Sequence, residues 1–163
     1  MRSAILALLC LAAPAAADPL WDAELRGGYG LSTGGGGTMT SRRPTPLTLT
    51  AIVSVAINDS PPLSAFGGAV IETLQRNSVG ATGGILFQPH GGPWRLSAGG
   101  EYVFEPYTLW GGTAAVGYCK HASPSVKLCG DAQLTAFFTG TDLAPGHTVT
   151  EVQLALGVVF GGQ

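Results

Sequence analysis

Ionised side chains are scarce in this sequence. Eight Lys and Arg stand against ten Asp and Glu in 163 residues, or 11% charged, where a water-soluble domain carries about a quarter. A surface built from so few charges is poorly hydrated, so much of it either faces lipid or associates with something else apolar. Clustered cations are missing too. Lys120 and Lys127 are the only lysines, and a nucleic-acid partner is not expected, because phosphate binding needs grouped positive charge. No run reaches the roughly twenty apolar residues that a membrane-spanning helix requires.

The longest apolar run, Ala4 to Ala13, follows Arg2 and precedes Pro14, Ala15, Ala16, Ala17 and Asp18. A short basic start, an apolar stretch about half the length of a membrane span and a small-residue cleavage site predict a cleavable secretory signal over 1–17. The remaining 18–163, 146 residues with a net charge of −3, suits one domain. Cys10 falls in the signal, and Leu9 before it is too large for the small residue that precedes a lipidated cysteine. Cys119 and Cys129 remain, an even pair in a chain bound for an oxidising compartment.

From Leu20 onward the hydrophobic period is two, which predicts strands. Ala23, Leu25, Gly27, Tyr29 and Leu31 alternate with Asp22, Glu24, Arg26, Gly28 and Gly30. Leu47 to Ile57 places Leu47, Leu49, Ala51, Val53, Val55 and Ile57 on one face, with Ile52 and Ala56 as exceptions on the polar side. Similar rows run from Val79 to Phe87, Trp94 to Phe104, Trp110 to Tyr118, Leu128 to Phe138 and Val152 to Phe160. Leu63 to Thr73 is mixed on both faces. The breaks, 58–62, 88–93, 120–127 and 140–146, carry Gly, Pro, Asp, Asn or Ser and read as turns. The longest break, Gly34 to Pro46, holds four consecutive glycines and Arg42-Arg43-Pro44. It predicts a mobile loop, since it lacks the strand–loop–helix setting and the lysine of a phosphate cradle. No helix pattern follows the signal.

About eight strands of around ten residues must close or stack, because open edges invite aggregation. The expected fold is all-β, an antiparallel up-and-down barrel. Two features predict an apolar exterior. The charges share a face with Ser, Thr and Gln, so Glu24, Arg26, Arg95, Glu101, Asp131 and Glu151 are expected as a polar barrel interior in which acids and arginines pair. Trp110 and Tyr118 lie eight positions apart on one face, roughly 20 Å of height on a tilted strand. With Phe138 and Phe160 near strand ends, they are expected to form an aromatic girdle.

On these rows the chain resembles the small eight-stranded outer-membrane barrels of the OmpA and OmpX type. The resemblance covers nearly all of 18–163 and rests on pattern. It implies an outer-membrane location, outer-membrane lipid as partner, and a structural or loop-mediated role involving an extracellular ligand or surface partner. Members of that group end on an aromatic residue, whereas Phe160 here is followed by Gly161, Gly162 and Gln163.

Cys119 and Cys129 have the same strand parity and straddle a turn centred near Pro124, so a hairpin places them opposite each other as a disulfide. A metal site adding His121 and Asp131 is the weaker alternative, and no metal or cofactor is expected. The three histidines, His90, His121 and His147, fall in predicted turns, and a catalytic site at the rim from His147, Asp142 and Ser32 lacks any linking motif. Glu101 and Glu105 share a face but lie about 13 Å apart along a strand, too far to share a proton, and pairing with Arg26 and Arg95 is expected instead. Gly27, Gly83, Gly99, Gly112 and Gly130 are read as relieving crowding in a strongly curved wall. An eight-stranded barrel has no room for an open channel. The expected protein is therefore a monomeric barrel without a pore or an enzymatic role. The alternatives are a soluble periplasmic or secreted barrel that holds an apolar ligand, and a rim-active lipid-modifying enzyme.

Overall fold

The computed structural model describes residues 21–36, 39–59, 61–74, 77–89, 92–106, 108–141 and 143–161. The expected signal at 1–17, His90 and Asp142 lie outside the described residues. Nine strands follow one another: β1 (Trp21–Gly36), β2 (Met39–Pro44), β3 (Leu47–Asp59), β4 (Pro62–Thr73), β5 (Ser78–Phe87), β6 (Trp94–Glu105), β7 (Leu109–Ser123), β8 (Val126–Gly140) and β9 (Thr148–Gly161). All neighbours pair antiparallel, and β1 also pairs with β9, which closes the sheet. The fold is an all-β closed barrel of eight strands with one extra strand.

The extra strand has a local cause. β2 and β3 both pair with β1, Pro44 opposite Leu31 and Thr48 opposite Gly28. They form one ladder interrupted at Thr45-Pro46. Proline cannot donate a ladder hydrogen bond. Thr45 spans the interruption: its N–H donates to the Gly30 carbonyl at 2.9 Å, and its Oγ1 accepts from the Gly30 N–H at 2.7 Å. A side chain at Gly30 would collide with the backbone of Val152 and Gln153, so only glycine lets β1 approach β9 this closely.

Most of the segment from Gly34 to Pro46 is therefore strand rather than mobile loop. β1 continues to Gly36, and Arg42 and Arg43 sit in β2 opposite Thr33 and Ser32. Alternation could not reveal this because glycines and threonines carry no apolar stripe. The predicted 120–127 turn is likewise shorter: β7 runs to Ser123 and β8 starts at Val126, so Lys120, His121 and Lys127 lie on strands.

The register fixes the barrel's geometry. From Trp21, partners run through Val55, Ala65, Ile85, Ala98, Ala114, Leu134 and Val152 and return to β1 at Leu31, ten residues further on. Eight strands with that stagger tilt by about 40° and have a backbone radius of about 8 Å. The strand ends define two rims. A terminus end carries Trp21, Gly161 and the connections after β3, β5 and β7. A loop end carries the connections after β1, β4, β6 and β8. Connections at the loop end are 2, 4, 3 and 7 residues long, slightly longer on average than the 2, 6 and 2 at the terminus end.

The outward face is apolar, while the inward one is mostly polar with some apolar side chains. The outward face carries Leu25, Leu49, Val53, Ile85, Leu96, Val116, Leu134, Leu154 and Leu156, all exposed. Buried inside lie Glu24, Thr48, Thr50, Thr82, Arg95, Glu101, Asp131, Thr135, Glu151 and Gln153. Ile52, the apolar exception in its strand, is also buried inside.

Candidate functional site

The lumen is filled in layers. Near the terminus end, Arg95 on β6 meets Glu24 on β1 and Asp131 on β8. Its Nε donates to Asp131 Oδ1 at 2.8 Å, Nη1 to Glu24 Oε2 at 2.8 Å, and Nη2 to Glu24 Oε1 at 2.7 Å and to Asp131 Oδ2. Arg26 Nη1 lies 4.0 Å from the same Asp131 Oδ2. Two carboxylates thus clamp one guanidinium, whose flat fork suits bidentate pairing. With Arg26 included, the formal charge of the cluster is zero, which a low-dielectric interior tolerates best. A small cavity of about 30 Å³ adjoins it, lined by Glu24, Arg26, Ile52, Phe66, Leu86 and Arg95 among others. That is space for one or two waters.

Three glycines make room for these groups. A Cβ at Gly117 would strike Asp131 and Arg95, one at Gly157 would come within 2.8 Å of Glu24 Oε1, and one at Gly28 within 2.8 Å of Thr48 Oγ1. Of the glycines expected to relieve wall crowding, Gly99 meets backbone that would block a side chain. Gly27, Gly112 and Gly130 meet nothing closer than 3.6 Å, so crowding does not account for those three. The wall's curvature is gentle enough on its outer side to admit a methyl group there.

Toward the loop end the interior turns to amides, hydroxyls and the buried carboxylates of Glu72, Glu101 and Glu151. Thr48 Oγ1 donates to Gln153 Oε1 at 3.0 Å, and Gln153 Nε2 donates to Glu151 at 3.1 Å. Thr135 bridges Gln133 and Thr113 at 3.2 and 3.3 Å, and Ser78 donates to Glu72. Above them sits an apolar plug of Val103, Leu109 and the fully buried Phe137, packed against Leu143 and Val149. Phe137 points inward because it keeps the parity of Asp131, Gln133 and Thr135; the β7–β8 register shift comes only beyond it, between Gly111 and Trp110.

The six expected interior residues, Glu24, Arg26, Arg95, Glu101, Asp131 and Glu151, all lie on the lumen side. The arginines take Glu24 and Asp131 as partners; Glu105, expected to pair with them, is exposed at the loop end. The girdle residues divide between the rims, Trp110 and Phe138 at the loop end, Tyr118 and Phe160 at the terminus end, all exposed. Trp94 packs edge-on against Tyr118 with centroids 5.2 Å apart, and Tyr102 lies 5.6 Å from Trp110. Trp94 and Tyr102 were visible in the same outward row and complete each rim's ring pair.

The rim constellation does not assemble. Ser32 pairs with Glu151, four residues along the chain from His147, or about 13 Å of strand. Ser32 Oγ donates to the Arg43 carbonyl at 3.4 Å, and His147 Nδ1 faces the Pro145 carbonyl at 3.3 Å.

Cys119 and Cys129 are register partners, 4.1 Å apart at Cα, and form a disulfide. It is buried beside Val159, and it uses the thiolates a metal site would have needed. Because the bridge closes a short loop, its loss is expected to cost about 2–3 kcal/mol. Urea titration of the Cys119→Ser/Cys129→Ser double variant beside the oxidised parent measures this, and equal midpoints would show that the bridge contributes no stability.

No family model, curated protein or solved structure matches the chain.

Proposed function

We propose that the chain is a small outer-membrane β-barrel, monomeric and without an open pore, that acts structurally or through its loop end, as the OmpA and OmpX type does. One observation carries the reading: the outward face is apolar all the way round. In a monomeric water-soluble protein an exposed apolar patch rarely exceeds a few hundred Å², whereas here every strand from β3 to β9, with β1, contributes a row. The rows span eight to ten residues, about 20–25 Å of height at the barrel's tilt, the height of the lipid-facing band of such barrels. Ring pairs at both rims fit the two interfaces. The lumen supports the absence of a pore, since the ion cluster, the amide layer and the Phe137 plug fill it. The soluble alternative needs the aliphatic face turned inward around an apolar cavity, and the polar lumen speaks against it.

Membrane fractionation with gels of heated and unheated samples tests the proposal. Outer-membrane recovery and a mobility that shifts on heating are expected. Recovery in the soluble periplasmic fraction, with unchanged mobility, would overturn it.

Orientation follows from even strand number. Entry from the periplasm at the terminus end places the β1–β2 hairpin outside the cell. Trypsin added to intact cells is then expected to cut after Arg42, exposed in β2, while sparing Lys120 and Lys127; the bond after Arg43 precedes Pro44 and resists trypsin. Because β2 is paired to β1, cutting is expected to be slow, as strand must open first. Cleavage at the lysines alone would invert the orientation.

A further inference from the structure

Among the side chains described, the outward wall carries no ionised group between Lys120 near the terminus end and Arg42 and Glu105 near the loop end. Register connects the two cations. Lys120 pairs with Leu128, Leu128 with Val158 and Val158 with Leu25, eight residues below Thr33, the partner of Arg42. With the barrel's tilt and strand spacing, Lys120 and Arg42 stand about 30 Å apart along the axis. That brackets a band of apolar surface about 25 Å tall, so each cation sits just outside hydrocarbon, at headgroup depth.

Lys120 does not stand alone there. It shares the outward face of β7 with Tyr118, about 7 Å away along the strand, and Tyr118 packs edge-on against Trp94. Trp94 is 59% and Tyr118 49% exposed, so the indole N–H and phenol O–H are open to donate. The lysine stem can lie along Leu128 opposite it while the ammonium reaches outward. No carboxylate lies within ion-pair distance of Lys120 among the described residues, whereas the neighbouring cation at this rim, Lys127, faces inward and interacts with Asp22. Three donors, one of them a positive charge, thus lie close together on the outward face at the edge of the apolar wall.

We propose that Lys120, Trp94 and Tyr118 bind the headgroup phosphate of an anionic phospholipid in the leaflet at the terminus end. Charge complementarity selects the partner: a phosphate diester offers acceptors to all three donors, and its acyl chains continue along Leu96, Val116 and Leu128 on the wall above. The inference rests on the outer-membrane reading.

The test uses the oxidised barrel refolded into vesicles, extracted in mild detergent and examined by native mass spectrometry with phosphatidylglycerol or phosphatidylcholine added. One lysine near an anionic surface corresponds to about a fivefold change in affinity. Lys120→Gln is therefore expected to retain about fivefold less phosphatidylglycerol, Lys120→Arg to retain it as the parent does, and Trp94→Phe to weaken it. Heat-dependent gel mobility of each variant reports barrel closure separately. Equal retention by parent and Lys120→Gln, with closure intact, overturns the site alone. Competition by inorganic phosphate as effective as by the phospholipid would also overturn it, in favour of a free-anion site. A parent protein that does not enter vesicles overturns the membrane reading instead.

Discussion

Arg95→Ala is expected to destabilise the barrel by about 3–5 kcal/mol, because it leaves Glu24 and Asp131 buried and facing each other without their shared cation. The cost is one of stranded charge more than of lost contacts. Arg26, 4.0 Å from Asp131, can compensate only partly, since no ion pair or hydrogen bond joins it to Glu24 among the described residues. Lysine at 95 restores a charge without the fork that reaches both carboxylates, so Arg95→Lys is expected to recover only part of the loss. The triple variant Glu24→Gln/Arg95→Met/Asp131→Asn removes the charges together and is expected to come within about 1–2 kcal/mol of the parent. Urea midpoints of the oxidised proteins in one detergent, with heat-dependent mobility as the closure readout, give the comparison. An Arg95→Ala midpoint equal to the parent's would mean the cluster does not hold the barrel together.

That network also marks how far residue pattern reaches. Two-residue alternation placed Glu24, Arg95 and Asp131 on one face, because face is a local property of a strand. Which acid meets which arginine depends on the ten-residue stagger around the barrel, a closed-sheet quantity no single segment carries. Pairing of interior acids with the arginines was expected, but Glu105 does not take part, and which two acids, Glu24 and Asp131, clamp Arg95 was not legible. The disulfide was legible because both cysteines belong to one hairpin, where separation and parity suffice. The β1–β2 extension was not, because its glycines and threonines give no apolar signal and Pro46 interrupts the ladder. Gly117 and Gly157 look like any other glycines in sequence; only the neighbouring strands show that their missing side chains hold space for Asp131, Arg95 and Glu24. Phe137 keeps the inward parity of Asp131 and Thr135; what sequence does not show is its packing against Val103 and Leu109, which lie on other strands.

Leu154→Arg separates the lipid-facing reading from any water-facing one. Leu154 is 73% exposed, and its pairing with Tyr29 places it about midway between the heights of Lys120 and Arg42. In lipid an arginine there is expected to cost about 2–4 kcal/mol, while Thr33→Arg, on the same outward face at the loop rim, is expected to cost about 0–1 kcal/mol. In water both positions are exposed surface, where substitutions stay within about 0.5 kcal/mol of neutral. Depth dependence, rather than the size of either effect alone, is the discriminating result. It is read from refolding equilibria into vesicles at matched lipid composition. Spin labels at Val116, Leu134 and Leu154 supply the independent measure: oxygen dissolved in lipid is expected to relax them more than an aqueous nickel reagent does. Equal, small costs at 154 and 33 together with nickel-accessible labels would place the apolar wall in water, and the explanation for its lack of charge would then have to come from another protein surface covering it.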